Sequence, residues 1–490
     1  MSQHSEEKQS SIDSKHKNET SSNKRINFKT WQIIVLLLGV IIITAGITVA
    51  ATIGISHKIS GLTKDERQEI KKIEYAYKTL NNDYYKKQNA SKLSEAAIDG
   101  MVKELKDPYS DYMTKDETKS FNEDVSGDFV GIGAEMQKKD KQIMITSPMK
   151  DSPAEKAGIQ PKDVVTKVDG KSVVGKPLEQ VVKLVRGKEG TMVKLTIKRG
   201  SQEKEIKIKR GKIHVKSVEY KKKDNIGVFT INKFQDNTAG ELKSAIIKAH
   251  KDGVRNIVLD LRNNPGGLLD EAVKMANIFI DKDQTVVKLE KGDDTESIKT
   301  SNDASKEAKD MKVSILVNEG SASASEVFTG AMRDHKKAKV YGSKTFGKGI
   351  VQTTREFKDG SLLKYTQMKW LTPDGHYIHG KGIQPDTKIA SPKYQSISVI
   401  PTDKSYSVGD NTKYVKSIKI GLDALDYDVN NDSKQFDTNL ESAIKKFQSE
   451  HELSLNGKFD KNTNEKFTQL LVEKANKEDK VLDELINKLK

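Results

Sequence analysis

Twenty-seven consecutive residues, Thr30 to Ser56, carry no charged side chain. The centre of this run, Ile33 to Ile53, is dense in Ile, Val, Leu and Ala. Roughly 20 such residues cross the hydrocarbon core of a bilayer as a helix, the one single-segment structure that satisfies its own backbone polar groups there. The run exceeds the roughly 7–15 apolar residues of a cleaved signal peptide, so residues 30–56 are expected to stay as a single transmembrane helix, a signal-anchor. Lys24, Arg25 and Lys29 stand just before it. Positive charge stays on the cytoplasmic side, which puts residues 1–29 inside and everything after Lys58 outside. Residues 1–29 are polar, lack an apolar period and are expected to form a disordered cytoplasmic tail. The expected localisation is the cell membrane, single-pass, with an extracytoplasmic body.

That body is several domains long, since the chain has 490 residues. Hydrophobic residues make up 35% and charged residues 32%, which excludes a polytopic membrane protein. There is no cysteine. A disulfide scaffold, a thiolate zinc site, an iron–sulfur centre and a cysteine nucleophile are thereby excluded. The net charge is +15, yet residues 401–490 hold 15 lysines against 17 acidic residues, so the positive excess lies in residues 1–400. Aromatics are 6% and no nucleic-acid motif occurs, so the basic body is expected to face an anionic cell surface rather than nucleic acid.

Residues 64–120 form an N-terminal helical region. Ile70, Ile73, Tyr77 and Leu80, then Leu93, Ala96, Ala97, Met101 and Leu105, recur at helical spacing around the polar stretch Asn81–Asn89. Such helices can pack on a domain or on a second copy. Residues 124–210 change to short strands (Ile143–Ser147, Val193–Ile197), glycine turns and a helical face of Leu178, Val181, Val182 and Val185. Ser152-Pro153-Ala154-Glu155 has the form of a capped helix start. The loop Gly131-Ile132-Gly133-Ala134 precedes a strand and can turn backbone N–H groups toward a carboxylate. In residues 211–400, apolar strands (Ile226–Ile231, Asn256–Leu261, Val313–Val317) alternate with helical patterns (Ala239–His250, Leu268–Phe279), as in a layered α/β domain. Lys221–Asp224 is expected as a solvated turn. Residues 401–475 form a small helical module, followed by a charged helix or tail, 476–490. The acidic stretch Asp423–Asp432 lacks the spacing of a calcium loop.

Three segments carry chemistry. Val317 to Glu326 contains Ser321, Ser323 and Ser325 between a strand and a helical pattern. A sharp strand-to-helix turn can hold a serine exposed, with N–H donors of the helix start facing a developing oxyanion. Thr345-Phe346-Gly347-Lys348-Gly349 sets one lysine among small and apolar neighbours; desolvation lowers a lysine's pKa and lets the neutral amine act as a base. Leu259 to Gly267 is a strand leading into a turn that ends in two glycines, where backbone can approach a ligand closely. From the residues alone, any of the three serines could be the nucleophile. Neither a Ser–His–Asp arrangement nor a metal pair at His376 and His379 finds a supporting motif, and no metal is expected.

In this order, after the Gly131–Ala134 module, these segments resemble the C-terminal processing peptidases, the tail-specific serine proteases of peptidase family S41. The resemblance covers roughly residues 64–395 and includes Leu105-Lys106-Asp107-Pro108-Tyr109-Ser110. Residues 128–210 resemble a PDZ domain. Ala443 to Gln448, Gly457 to Asp460 and Thr463 resemble a peptidoglycan-binding-like domain, with Thr463 capping its last helix. The fold class implied is multidomain α/β, with a single N-terminal transmembrane helix, a PDZ-like β-rich domain inserted before or within an α/β serine protease domain, and a small helical C-terminal domain.

Carried over by position, the resemblance implies Ser323 as nucleophile, Lys348 as general base, Gln352 as its support and Asp334 as the acidic residue named with them. An ionised Asp334 beside Lys348 would raise the lysine pKa, so a structural role at a loop or helix end is an equal expectation. Backbone N–H groups of Ala324 and of Gly266 or Gly267 are expected to form the oxyanion hole. Gly131, Ile132, Gly133 and Ala134 are expected to bind the peptide carboxylate, and Arg186, at the end of the PDZ helix, to relay peptide binding to the protease. Expected partners are proteins with free C-termini, the membrane, peptidoglycan and, through the N-terminal helices, a homodimer partner; no cofactor is implied. The alternative is a proteolytically inert tethered scaffold that binds C-terminal peptides at the wall.

Overall fold

The computed structural model describes residues 61–490. The expected tail and transmembrane helix lie outside the described residues, and among the described residues no helix is long and apolar enough to cross a membrane. The chain divides into two compact units, residues 1–96 and 97–490. In the first, a helix runs Lys64–Asn82. Thr63 starts it: the Thr63 Oγ1 accepts from the Glu66 N–H at 3.3 Å, and the Glu66 carboxylate accepts from the Thr63 N–H at 2.6 Å. None of its residues is buried.

In the second unit the core is a six-stranded sheet ordered Val218–Lys223, Ile226–Ile231, Asn256–Asp260, Lys312–Val317, Ala338–Gly342 and Thr387–Lys388. The first pair is antiparallel and the rest are parallel. Parallel strands buried on both faces read as apolar runs, as these do. One face (Phe229, Ile231, Ile257, Leu259, Ile315, Val317) packs against the helices Thr238–Lys251, Leu269–Phe279 and Ala324–Asp334. The other face (Ile226, Val228, Val258, Leu316) is covered by Val481, Leu485 and Ile486 of the helix Lys480–Leu489. The helix expected within residues 476–490 is therefore present, as Lys480–Leu489, and covers this face of the α/β core. The amphipathic stripe was present, but nothing local names the surface it covers.

Lys221–Asp224 is also corrected. Lys221 to Lys223 belong to the edge strand Val218–Lys223, and the turn is Asp224–Asn225. Lysines on an edge strand keep it soluble and block sheet-to-sheet association, so their charge does not argue against a strand.

A second sheet is antiparallel. In it Leu362–Leu371 pairs with Asp111–Met113, Thr285–Lys291 and Ile350–Glu356. Asp111–Met113 precedes the PDZ-like domain in sequence, so that domain is an insertion within the α/β fold. Its sheet runs Ala134–Lys139, Gln142–Pro148, Val164–Val168, Met192–Arg199, Gln202–Lys209, with Ala134–Lys139 at one edge beside the helix Leu178–Val185. A two-stranded ribbon, Asp128–Gly131 with Gly211–His214, carries the chain in and out. At its base His214 bridges Asp128 (2.8 Å) and Glu241 of the protease (2.6 Å). The Glu241 hydrogen bond and the Asp128 contacts outweigh burial and raise the His214 pKa above 6.5. The ionic part of this joint is present while His214 is protonated and its carboxylate partners are ionised, and it is lost as pH rises through the raised His214 pKa.

The last module packs helices Lys413–Ala424, Thr438–Glu450 and Lys461–Lys477 around Phe436, Phe447, Phe459 and Phe467. Its buried Lys419 ammonium donates to Asp437 (2.6 Å), which lies outside the stretch Asp423–Asp432, and to Asn431 within it (3.1 Å). The last of these helices is capped by Asp460, which accepts from the Thr463 N–H at 3.0 Å; Thr463 is inside the helix, not its cap. An aspartate three residues earlier outcompetes it because the cap must have extended backbone.

Candidate active site

The strand Lys312–Val317 ends at a turn whose hydroxyls are committed to holding it shut. Ser321 Oγ donates to the Leu261 carbonyl at 2.7 Å and Ser325 Oγ to the Asn264 carbonyl at 3.0 Å, and both serines are fully buried. Ser323 between them is partly exposed. Its backbone has φ 56° and ψ −117°, a conformation that costs a residue with a Cβ about 1–3 kcal/mol and recurs where a side chain must be presented. Geometry thus separates the three serines that local sequence left equivalent.

One carboxylate holds this strained turn. Glu326, fully buried on the first turn of the helix, accepts from the Ser323 N–H (2.9 Å), the Lys348 N–H (2.8 Å), the Gly347 N–H (2.7 Å) and the Thr345 hydroxyl (2.5 Å). The first two donors share the same oxygen, so the backbone nitrogens of Ser323 and Lys348 lie within 5.7 Å of each other. Gly347 is at φ 92°, and a Cβ there would come 2.7 Å from the Gly382 nitrogen. Glycine is what allows this close approach.

The Lys348 side chain is half-buried, with Nζ 4.7 Å from the centre of the Tyr109 ring. Burial, reinforced by the charge of Lys364, lowers its pKa below 10.5 against the opposing pull of Asp107 and Glu326. Asp107 accepts from the Ser110 hydroxyl (2.6 Å) and the Thr366 hydroxyl (2.7 Å). Burial alone would raise its pKa. Those hydroxyls, the Tyr109 N–H and the Lys348 charge outweigh it and hold Asp107 below the ordinary carboxylate value. Gln352 donates to Thr366 at 3.3 Å and so reaches Lys348's surroundings through Thr366 and Asp107.

Gly266 sits against Ser323: a Cβ on it would lie 2.9 Å from both Ser323 Cβ and the Ala324 nitrogen. Its own N–H donates to the Asn264 side chain at 2.9 Å. Among the described residues the N–H groups of Ala324 and Gly267 have no acceptor, which leaves them available. Asp334 is at the other end of the helix that Ser323 caps, about 16 Å from Ser323 at 1.5 Å per residue. Its carboxylate accepts from the Asp374 N–H at 3.1 Å and neighbours His376. That placement supports the holding of a turn and does not bring Asp334 to Ser323 or Lys348. His335 beside it is half-buried, bonded to the Thr285 carbonyl at 2.7 Å.

In the PDZ-like domain, Gly131, Ile132, Gly133 and Ala134 line a cavity of about 110 Å³ together with Phe129, Met136, Val182, Val185 and Arg186. The Arg186 guanidinium stacks 5.0 Å over the Phe129 ring and pairs with Glu123 of the helix Lys115–Ser126. The residues missed from sequence are Glu326, Asp107, Tyr109 and Asn264. All stood inside the segments singled out, but their roles are set by partners 20 to more than 200 residues away.

Residues 225–389 match the family model "Peptidase family S41". Residues 48–118 match "Activating protease CtpB N-terminal domain", 144–199 "PDZ domain", and 411–467 a peptidoglycan binding domain. A Staphylococcus haemolyticus protein described as "Probable CtpA-like serine protease" is 95% identical over 490 residues, 100% of this chain and 99% of that one. A Staphylococcus epidermidis protein of the same description is 70% identical over 491 residues, 100% of each. A solved photosystem II D1 C-terminal processing protease is 26% identical, covering 67% of this chain and 94% of that one, with a TM-score of 0.40.

The clamp on Ser323 and Lys348 is open to direct measurement. Hydrogen bonds to a charged acceptor contribute about 1.5–3 kcal/mol each, so Glu326→Gln is expected to lower stability by at least about 2 kcal/mol. Urea unfolding followed through buried Trp370 reads this; an unchanged midpoint would show that the carboxylate is not the clamp.

Proposed function

As the chain belongs to the CtpA-like serine proteases of peptidase family S41, we propose that it is a membrane-anchored endopeptidase in which Ser323 and Lys348 form the catalytic pair and the PDZ domain captures protein C-termini. The observation that carries this is the shared Glu326 oxygen, which brings the Ser323 and Lys348 backbones together beside a desolvated amine. In the proposed cycle Ser323 Oγ attacks the scissile carbonyl carbon and its proton passes to neutral Lys348 Nζ. The oxyanion takes hydrogen bonds from the Ala324 and Gly267 N–H groups, while Gly266, its own N–H engaged, shapes the wall. As the C–N bond breaks, Lys348 returns the proton to the leaving amine. Water, deprotonated by Lys348, then attacks the acyl-enzyme and releases Ser323. Gln352 acts through Thr366 and Asp107 to hold the surroundings of the amine.

Because the neutral amine is the base, activity falls as pH drops through the Lys348 pKa. The depressed value places this limb below 10.5, the ordinary lysine value. Lys348→Ala is expected to remove about 10²–10⁴-fold of the rate, and Ser323→Ala nearly all of it, on casein or a tagged peptide. A pH profile with no limb below the ordinary lysine range, or equal activity in Ser323→Ala, would defeat the mechanism. If wild type and variant are equally inactive over many peptides, the scaffold reading gains.

Arg186 lines the cavity that would receive the peptide end, and its resting partner is Glu123. The reading is that a bound carboxylate draws Arg186 from Glu123 and turns it toward the protease. Arg186→Ala should then cleave slowly and lose stimulation by added C-terminal peptide. Wild-type rates with full stimulation would refute the relay.

The uncharged run Thr30–Ser56 supports a membrane anchor, the last module a hold on peptidoglycan, and the uncovered stripe of Ile70 (49% exposed), Ile73 (42%) and Leu80 (49%) a homodimer. The full chain is expected in the membrane fraction after an alkaline wash, bound to purified wall polymer, and at twice the monomer mass by light scattering. Each separate failure removes the corresponding partner.

A further inference from the structure

The helix Lys480–Leu489 lies beyond the segment that matches the S41 family and beyond the one that matches the peptidoglycan-binding family, and the mechanism above does not use it. It is nonetheless tied to the active-site turn. Val481, Leu485 and Ile486 are buried against the back of the central sheet. At the helix start, Asp479 Oδ1 accepts from the Leu482 N–H at 3.0 Å, the ordinary work of a cap. The same carboxylate accepts two further bonds, from Arg262 Nη1 (2.8 Å) and Arg262 Nη2 (2.5 Å).

Arg262 is the first residue after the strand Asn256–Asp260 and Leu261, and it opens the turn that runs to Gly267. Its guanidinium also grips Asp260, through Nε (2.9 Å) and Nη2 (2.6 Å). Two carboxylates in a fork geometry fix a planar guanidinium in both position and tilt, which one alone does less well. The turn it opens is fastened to the nucleophile's turn: the Asn264 carbonyl accepts the Ala322 N–H (3.0 Å) and the Ser325 hydroxyl (3.0 Å), the residues on either side of Ser323 and Ala324. A displacement of Arg262 therefore reaches Gly266, Gly267 and Ser323 through three residues of chain.

We infer that Asp479 is a positioning residue for the active-site turn Arg262–Gly267, and that the chain's last helix belongs to the catalytic unit. Asp479 touches no reacting atom; it acts through Arg262. The inference rests on Ser323 being the nucleophile, but its structural half does not.

The test uses the full-length chain with Asp479→Asn, which keeps a capping oxygen for Leu482 and removes the charge that Arg262 grips. Amide hydrogen exchange by mass spectrometry is read over Leu261–Gly267, and kcat and KM on a peptide substrate are read beside it. Exchange in the turn is expected to rise about tenfold and kcat to fall about fivefold or more, with KM within about twofold, as for a broken contact in a coupled network. Asp479→Glu should recover a good part of kcat. Asp483→Asn, which loses only the exposed pair of the same helix with Lys223, should match wild type in both readouts. Unchanged exchange and kcat in Asp479→Asn, or an equal loss in Asp483→Asn, would overturn the inference. So would a loss of kcat that merely follows a fall in melting temperature. If the wild-type chain cleaves nothing, the proteolytic reading fails, and hydrogen exchange alone then decides the role of Asp479.

Discussion

A single buried carboxylate, Glu326, organises the site. Its oxygens bind N–H groups from two segments that follow neighbouring strands of the sheet, the turn at Ser323 and the loop at Lys348, as well as the Thr345 hydroxyl. A buried charge is costly unless its lone pairs are filled, and here four donors fill them. The same bonds offset the strain of Ser323's backbone. The result is a fixed relation between the Ser323 turn and the Lys348 loop. The Tyr109 ring and the half-buried position of Lys348 keep its amine poorly solvated.

Around this centre the protein places contacts that come from outside the protease sequence proper. Asp107, Tyr109 and Ser110 arrive from before the PDZ insertion, Asp479 from the far end of the chain, and Arg186 stands where the PDZ groove meets the helix Lys115–Ser126. The insertion is joined through a two-stranded ribbon with His214 at its base. A ribbon of two strands is a narrow connection, marginal in stability by itself. Movement of the PDZ domain would therefore change the contacts made by Arg186 and Glu123 before it disturbed the sheet that carries Ser323.

Much of the architecture could be read from pattern. The strands at 226–231, 256–260 and 312–317, and the helices between them, follow from apolar runs alternating with helical periodicity. Ser152 with Pro153 marked a helix start that the structure repeats. The errors share a cause. Three lysines at 221–223 looked like a turn because charge was read without the neighbouring strand that makes them an edge. Thr463 was given a cap that Asp460 holds. The helix expected within residues 476–490 is present, and only its packing partner was not legible, because an amphipathic stripe does not name the surface it covers.

The sequence alone determined the chemistry on offer: a serine turn, one lysine between glycines, no cysteine and an uncharged run of bilayer length. These are properties of residue type and local spacing, and they survive without coordinates. Tertiary structure decided which serine is presented, because burial of Ser321 and Ser325 depends on the carbonyls of Leu261 and Asn264. It also decided that Asp107 and Glu326, not Asp334, are the carboxylates bearing on Lys348, and that the final helix covers one face of the sheet. Each of those outcomes is a contact between segments far apart in the chain, and the free energy of such a contact has no counterpart in either segment taken by itself.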